Sequence, residues 1–171
     1  MNKETSKQVI DAMAALATTV DDEWALVTAG TEERGWNTMT IGWGSAGTLW
    51  STPTITVYVH PWRYTHEFLM REDYFTVQLF GAEHRKDLGI LGSKSGRDGD
   101  KVALTSLTPV ALEHGMTFAE ATTTIVCEKW YTQAIDLAAV PADVMERLGE
   151  RLYTDAAHTM FVGKIVDVLA R

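Results

Sequence analysis

Three short stretches carry the residue types that hold an anion. They are Asn37-Thr38-Met39-Thr40 running into Gly42-Trp43-Gly44, then Arg63-Tyr64-Thr65, then Lys94-Ser95-Gly96-Arg97-Asp98. Each combines hydroxyls with cations or glycines, the chemistry that fixes a phosphate against backbone N–H groups. In the third stretch Gly96 lets the backbone fold into a concavity, and Arg97 could meet phosphate oxygens through two parallel bonds. The competing reading is a solvated loop closed by an Arg97–Asp98 or Lys101–Asp98 pair. Thr38 and Thr40 point to one face of a strand, Met39 and Ile41 to the other. Hydroxyls so spaced can face one ligand, or simply face water. Arg63-Tyr64-Thr65 follows a strand and opens a helix, so Thr65 serves as an N-cap, a phosphate donor, or both.

Other residues are less committed. His158, at the start of the last strand, could hold a substrate or move a proton, or be structural. Trp43 and Trp50 could stack on an aromatic ring, or fill core. Cys127 lies mid-strand among apolar residues and reads as an inert buried thiol. The chain has no G-x-G-x-x-G in strand–helix context, no P-loop, no nucleophile elbow and no His/Cys/Asp cluster with metal-ligand spacing.

The bulk properties narrow the class. A chain of 171 residues predicts one domain, 1–171, able to bury a core without staples. A formal net charge of −8 argues against a general nucleic-acid binder. It permits a small phosphate site if that site is locally positive, and Arg63, Arg85, Lys86, Lys94, Arg97 and Lys101 supply the charge. No apolar run reaches the ~18 residues of a membrane span. Met1-Asn2-Lys3-Glu4 leads into no apolar h-region, so no signal peptide is expected. With a single cysteine, these features predict a cytoplasmic protein.

The elements that must position the three stretches follow from periodicity. Val9, Ile10, Met13, Leu16 and Ala17 predict an amphipathic helix over 6–19, with Thr5 and Gln8 as a capping box. Strands are predicted over 24–29, from Trp36 to about Trp43, over 54–60 and over 74–80. The glycines at 42, 44 and 47 predict a bulge, a bend or a close backbone approach. Thr65 is expected to cap a helix over 66–71, in which Glu67 and Arg71 pair. Residues 83–91 read as a helix and 92–101 as a charged loop. Shorter strands fit 108–112 and 117–119, a long one 121–131, and a last one 158–168 with Phe161 or Val162 inward. Pro141 opens a helix running to about Tyr153. Many strands with a few short helices predict an antiparallel barrel over about 23–168 with helices on its rim.

Taken jointly and in order, these clusters resemble the flavin reductase-like family of FMN-binding split barrels, flavoredoxin-type proteins included. The resemblance rests on residues 37–44, Arg63-Tyr64-Thr65-His66-Glu67-Phe68, residues 91–101, and His158-Thr159-Met160-Phe161-Val162-Gly163-Lys164-Ile165-Val166. It implies a mainly β, six-stranded antiparallel split β-barrel with peripheral helices, in a homodimer with FMN near the subunit interface. It implies an oxidoreductase passing electrons through that flavin, with NAD(P)H as donor and free flavin, a partner oxygenase or another redox protein as acceptor. Phosphate and ribityl contacts would fall to Thr38, Thr40, Arg63, Thr65, Ser95 and Arg97, with Tyr64 in the same cofactor-binding stretch. Asn37, Met39 and Trp43 would lie beside the ring. Lys94 would sit at the ring's pyrimidine end, favouring the reduced form, and His158 near the open face where a donor stacks. Two alternatives share these clusters: an FMN electron carrier without a nicotinamide site, and a barrel that has lost flavin and acts as a binding module. Trp62 departs from the pattern by standing where a smaller side chain is usual, and would narrow the mouth of the site or extend the dimer contact.

Overall fold

The computed structural model describes residues 3–149 and 156–171. Helix α1 (Lys3–Thr19) lays Val9, Ala12 and Leu16 into the core at helical spacing. The predicted Thr5–Gln8 cap involves a side chain, that of Thr5, outside the described ones. Strands β1 (Ala25–Thr31), β2 (Gly35–Ile41), β3 (Gly44–Leu49) and β4 (Thr52–Val59) follow, then α2 (Tyr64–Arg71), β5 (Tyr74–Leu79) and α3 (Arg85–Ser93). The hairpin β6 (Pro109–Leu112) and β7 (Gly115–Phe118) precedes the long strands β8 (Thr123–Ala134) and β9 (Thr159–Ala170). Between those two, Pro141 opens only Ala142–Val144, which widens into a π-helical turn over Met145–Gly149. The remainder of the predicted helix to Tyr153 lies outside the described residues.

Seven strands form one antiparallel sheet in the order β2-β1-β5-β8-β9-β4-β3, and β6-β7 forms a second. The fold is therefore a mainly β split barrel, as the resemblance implied, but with nine described strands rather than six. One extra strand is β3. Its Gly-Ser-Ala-Gly-Thr-Leu sequence has little β propensity, and pairing with β4 from Gly44↔Val57 to Leu49↔Thr52 holds it extended. Another departure is the β3–β4 turn, where Trp50 (φ 48°) and Ser51 (φ 60°) both adopt left-handed backbone. That is the geometry of a two-residue hairpin turn usually given to Asn-Gly. Bulges between Val126 and Cys127 and between Lys129 and Tyr131 curl β8. The sheet curls until β2 approaches β4 without pairing to it.

The central strands bury both faces. On one side Val27, Phe75, Val77, Ile55, Ile125, Cys127 and Phe161 fill the barrel beneath α1 and α2. On the other, Leu26, Leu88, Leu91 and Phe118 form a second layer under α3 and the β6–β7 hairpin. Phe161 is thus the inward residue of the Phe161/Val162 choice. This second layer carries a buried polar seam. The Thr28 hydroxyl lies 2.8 Å from Thr38 Oγ1 and 3.1 Å from Gln78 Oε1. Gln78 Nε2 donates to Thr76 Oγ1 at 2.6 Å and to the Met116 carbonyl at 3.1 Å. Desolvating these groups is tolerated because they satisfy one another.

Candidate functional site

A small cavity opens at the outer edge of β2, the strand that ends the large sheet. It measures about 90 Å³ and draws its walls from three separate regions of sequence. Asn37 and Met39 come from β2, Trp62 to Thr65 from the start of α2, and Leu91 to Gly96 from the end of α3 and the loop beyond. Lys101 completes it. Arg63, Lys94 and Lys101 are its charged lining residues, and no carboxylate joins them. In a chain of net charge −8 this is a concentrated positive site.

Local interactions fix its geometry. Asn37 Nδ2 donates to Thr65 Oγ1 at 2.7 Å, tying β2 to the first turn of α2. Thr65 lies inside the first turn of α2 rather than capping it, its oxygen accepts from Asn37, and the N-cap, Arg63, makes no side-chain cap bond. Arg63 Nη1 donates to the Gly92 carbonyl at 3.0 Å. Lys101, only 5% exposed, donates to the carbonyls of Leu91 at 2.9 Å and Lys94 at 3.2 Å. Those carbonyls belong to the last turn of α3, where a cation complements the helix dipole. Burial, and then repulsion from Arg63, bring the Lys101 ammonium down from 10.5 to about 8. Gly96 lies against β2 so closely that an added Cβ would stand 2.3 Å from Asn37 Oδ1 and 3.1 Å from Tyr64.

The predicted site residues divide into three groups. Asn37, Met39, Arg63, Tyr64, Thr65, Lys94 and Ser95 line the cavity together. Thr38, Thr40 and Arg97 direct their side chains elsewhere. Thr38 is fully buried in the polar seam, and its hydroxyl donates to the Val27 carbonyl at 3.3 Å. Thr40 donates to the Leu88 carbonyl of α3 at 2.5 Å. Arg97 donates to the Trp62 carbonyl at 3.0 Å, pairs with Glu67 and lies over the Tyr64 ring at 4.8 Å. Glu67 thus pairs with Arg97 rather than with Arg71, and neither of the loop pairs expected of Asp98 forms. Arg71 joins Glu72 at 2.5 Å, and Arg34 meets the same buried carboxylate at 3.2 Å.

Trp43 and His158 form the third group, away from the cavity lining. Their ring centroids are 4.9 Å apart. His60 meets His158 edge-on at 5.1 Å and Trp62 at 5.1 Å, so an aromatic chain runs from Trp43 to the cavity mouth. Trp43 also lines a wider surface hollow of about 570 Å³ with Gly42, Gly44 and Tyr58. Burial, reinforced by repulsion from His60 and Arg63, lowers His158 to about 4. Its ring is neutral at neutral pH. Among the described residues no His/Cys/Asp/Glu group could hold a metal ion, and no helix is long and apolar enough to cross a membrane.

Lys101 and Gly96 are the lining residues least visible beforehand. Lys101 was one cation among several in a charged loop, and nothing in its neighbours marks it as buried. Gly96 is expected from sequence to let the backbone fold into a concavity; in the structure it lies against Asn37 where a side chain would not fit.

A family model described as flavin reductase like domain matches residues 13–171. No curated protein matches the chain. Among solved structures, the fold is similar to flavoredoxin from Methanosarcina acetivorans, at 21% identity and a TM-score of 0.66, covering 87% of this chain and 68% of that one. It is similar to the FMN-binding protein from Thermus thermophilus with bound p-hydroxybenzaldehyde, at 19% identity and TM-score 0.67, covering 86% and 71%. The styrene monooxygenase flavin reductase from Pseudomonas putida S12 matches at 19% identity and TM-score 0.62, covering 86% and 79%. With the family model spanning nearly the whole chain, this protein belongs to the flavin reductase-like domain family.

Proposed function

We propose that this chain binds FMN, with the phosphate in the cationic cavity, and acts as an NAD(P)H-dependent oxidoreductase of the flavin reductase or flavoredoxin type. The observation that carries this reading is the cavity itself: three cations, no carboxylate, and hydroxyl and amide donors within a family built around flavin chemistry. At about 90 Å³ the cavity has room for a group of phosphate size. The residues present fit the headgroup, and the ring would lie along the unpaired edge of β2.

When bound, FMN supplies the capacity to take up a hydride and release electrons to an acceptor. Arg63, Lys94 and Lys101 supply the countercharge, and Thr65, Ser95 and Asn37 the polar groups that orient the phosphate. Residues 37–40 offer backbone N–H and carbonyl groups along the free strand edge, whichever way their side chains point. Lys94 has no fixed partner in the cavity wall and is the cation able to follow developing negative charge. The neutral His158 ring and Trp43, tilted 45° to one another, each offer an aromatic face to a nicotinamide. A shuttle working near neutrality needs a pKa near 7, so His158 acts here as a hydrogen-bonding ring rather than a proton carrier.

A homodimer that covers the ring, and a partner oxygenase or redox protein that accepts the electrons, complete the proposal. Nitrilotriacetate monooxygenase component B from Bacillus cereus, similar in fold at a TM-score of 0.66 and 15% identity, supports that kind of partner by analogy. The test is direct. Purified protein mixed with FMN should quench flavin fluorescence, and NADH or NADPH should then bleach the flavin band anaerobically. Bleaching by dithionite alone would leave an electron carrier without a nicotinamide site. Failure to bind FMN would reject the proposal.

A further inference from the structure

We infer that the wide hollow beside Trp43 is a binding site for an organic ammonium ion of the quaternary or methylated amine class, seated on the Trp43 and Tyr58 rings with Asp21 as its countercharge. The inference stands apart from the proposed flavin site, because the hollow and the cationic cavity share no lining residue. Their electrostatic characters are also opposite. The cavity gathers three cations without a carboxylate, whereas Asp21 is the charged residue among the described ones that line the hollow.

Size and walls fit such a ligand. The hollow measures about 570 Å³, within the range of roughly 300–1,000 Å³ common for small-molecule sites. Trp43 and Tyr58 supply aromatic faces, which attract a cation through the ring quadrupole. Trp43 is 37% exposed, and its neighbours Gly42 and Gly44 add no side chain over its ring. Its contact with the His158 ring helps to hold it in place. Ala17, Val20 and Ile135 add apolar surface that can cover methyl or alkyl groups. A metal ion has no use for that surface. A quaternary ammonium does, and it brings no N–H group that must find an acceptor.

Charge on the α1 side points the same way. Helix α1 ends at Thr19 with no basic residue in its last turn, so the negative end of its dipole faces this region without a countercharge of its own. Asp21, Asp22 and Glu23 follow at once, all exposed. Arg85 reaches this segment but donates to the Asp22 carbonyl, and its guanidinium lies 3.3 Å from the centroid of the Trp24 ring. It is thus engaged by a backbone oxygen and an aromatic face, and it does not line the hollow.

The experiment is a titration of the purified protein, without and then with added FMN, followed through the tryptophan indole N–H signals by NMR. The probes are choline and the uncharged alcohol in which a tert-butyl group replaces the trimethylammonium head. Choline should saturate at about 1 mM or below and move the Trp43 signal, with the alcohol weaker by about tenfold or more. Asp21→Asn, a change at an exposed position, and Trp43→Phe should each weaken choline by about threefold or more. Equal affinity for the two probes, no saturation, or an unchanged affinity in Asp21→Asn would overturn the inference. Displacement of choline by FMN would overturn its independence by making the hollow part of the flavin site.

Discussion

At the scale of single residues, the cavity depends on a cation held where water barely reaches. Lys101 titrates near 8 in the folded chain and at 10.5 when unperturbed. Between those values the unfolded chain binds more protons than the folded one, so stability should rise with pH across that window. Urea midpoints measured through it will show the rise, and Lys101→Met should flatten it. A bound phosphate stabilises the charged ammonium, so FMN affinity should fall as pH rises through about 8. Arg63 and Lys94 share the cavity with Lys101. Replacing Lys94 by Ala in the Lys101→Met background should weaken FMN binding by about tenfold or more, read by flavin fluorescence. Arg97→Ala should weaken it less, because Arg97 acts through Trp62 and Tyr64 rather than from the cavity wall. The sequence made Arg63, Lys94 and Ser95 legible by type alone. It could not separate Arg97 from Lys101, because both are cations in one charged loop and only three-dimensional packing decides which is buried.

At the scale of elements, the helices were read from apolar spacing and the strands from β-branched runs, and both signals survive packing. β3 was not legible, because nothing in Gly-Ser-Ala-Gly-Thr-Leu prefers extension until β4 pairs with it. The facing of β2 was read correctly as an alternation. What alternation cannot tell is which side lines the cavity when both sides are covered. Thr38 and Thr40 face the second layer, while Asn37 and Met39 face the cavity. Two changes test these elements. Gly96→Ala drives a methyl into Asn37 and should cost about 1–3 kcal/mol of stability along with FMN affinity. A thermal melt beside the flavin titration checks both. Trp50 holds a left-handed backbone that bulky side chains resist, and it is 65% exposed. Replacing Trp50-Ser51 by Asn-Gly should raise the melting temperature, as expected for relief of strain of about 1 kcal/mol, offset in part by lost contact with Trp130.

At the scale of the whole molecule, an acidic chain concentrates positive charge at one edge of its sheet. FMN binding should weaken with added salt, though less than for surface pairs, because Lys101 is enclosed. The titration repeated at two salt concentrations measures this. The buried Thr28–Thr38–Gln78–Thr76 seam has a bearing on that edge. If β2 paired with β1 one position out of step, Asn37 and Met39 would turn to the second layer and the threonines would take their place. The same slip would take the Thr38 hydroxyl away from Thr28 and from the Val27 carbonyl in a dry interior, a penalty for any misaligned chain. A hydroxyl buried away from the cavity thus proofreads the alignment of the β2 residues that line it.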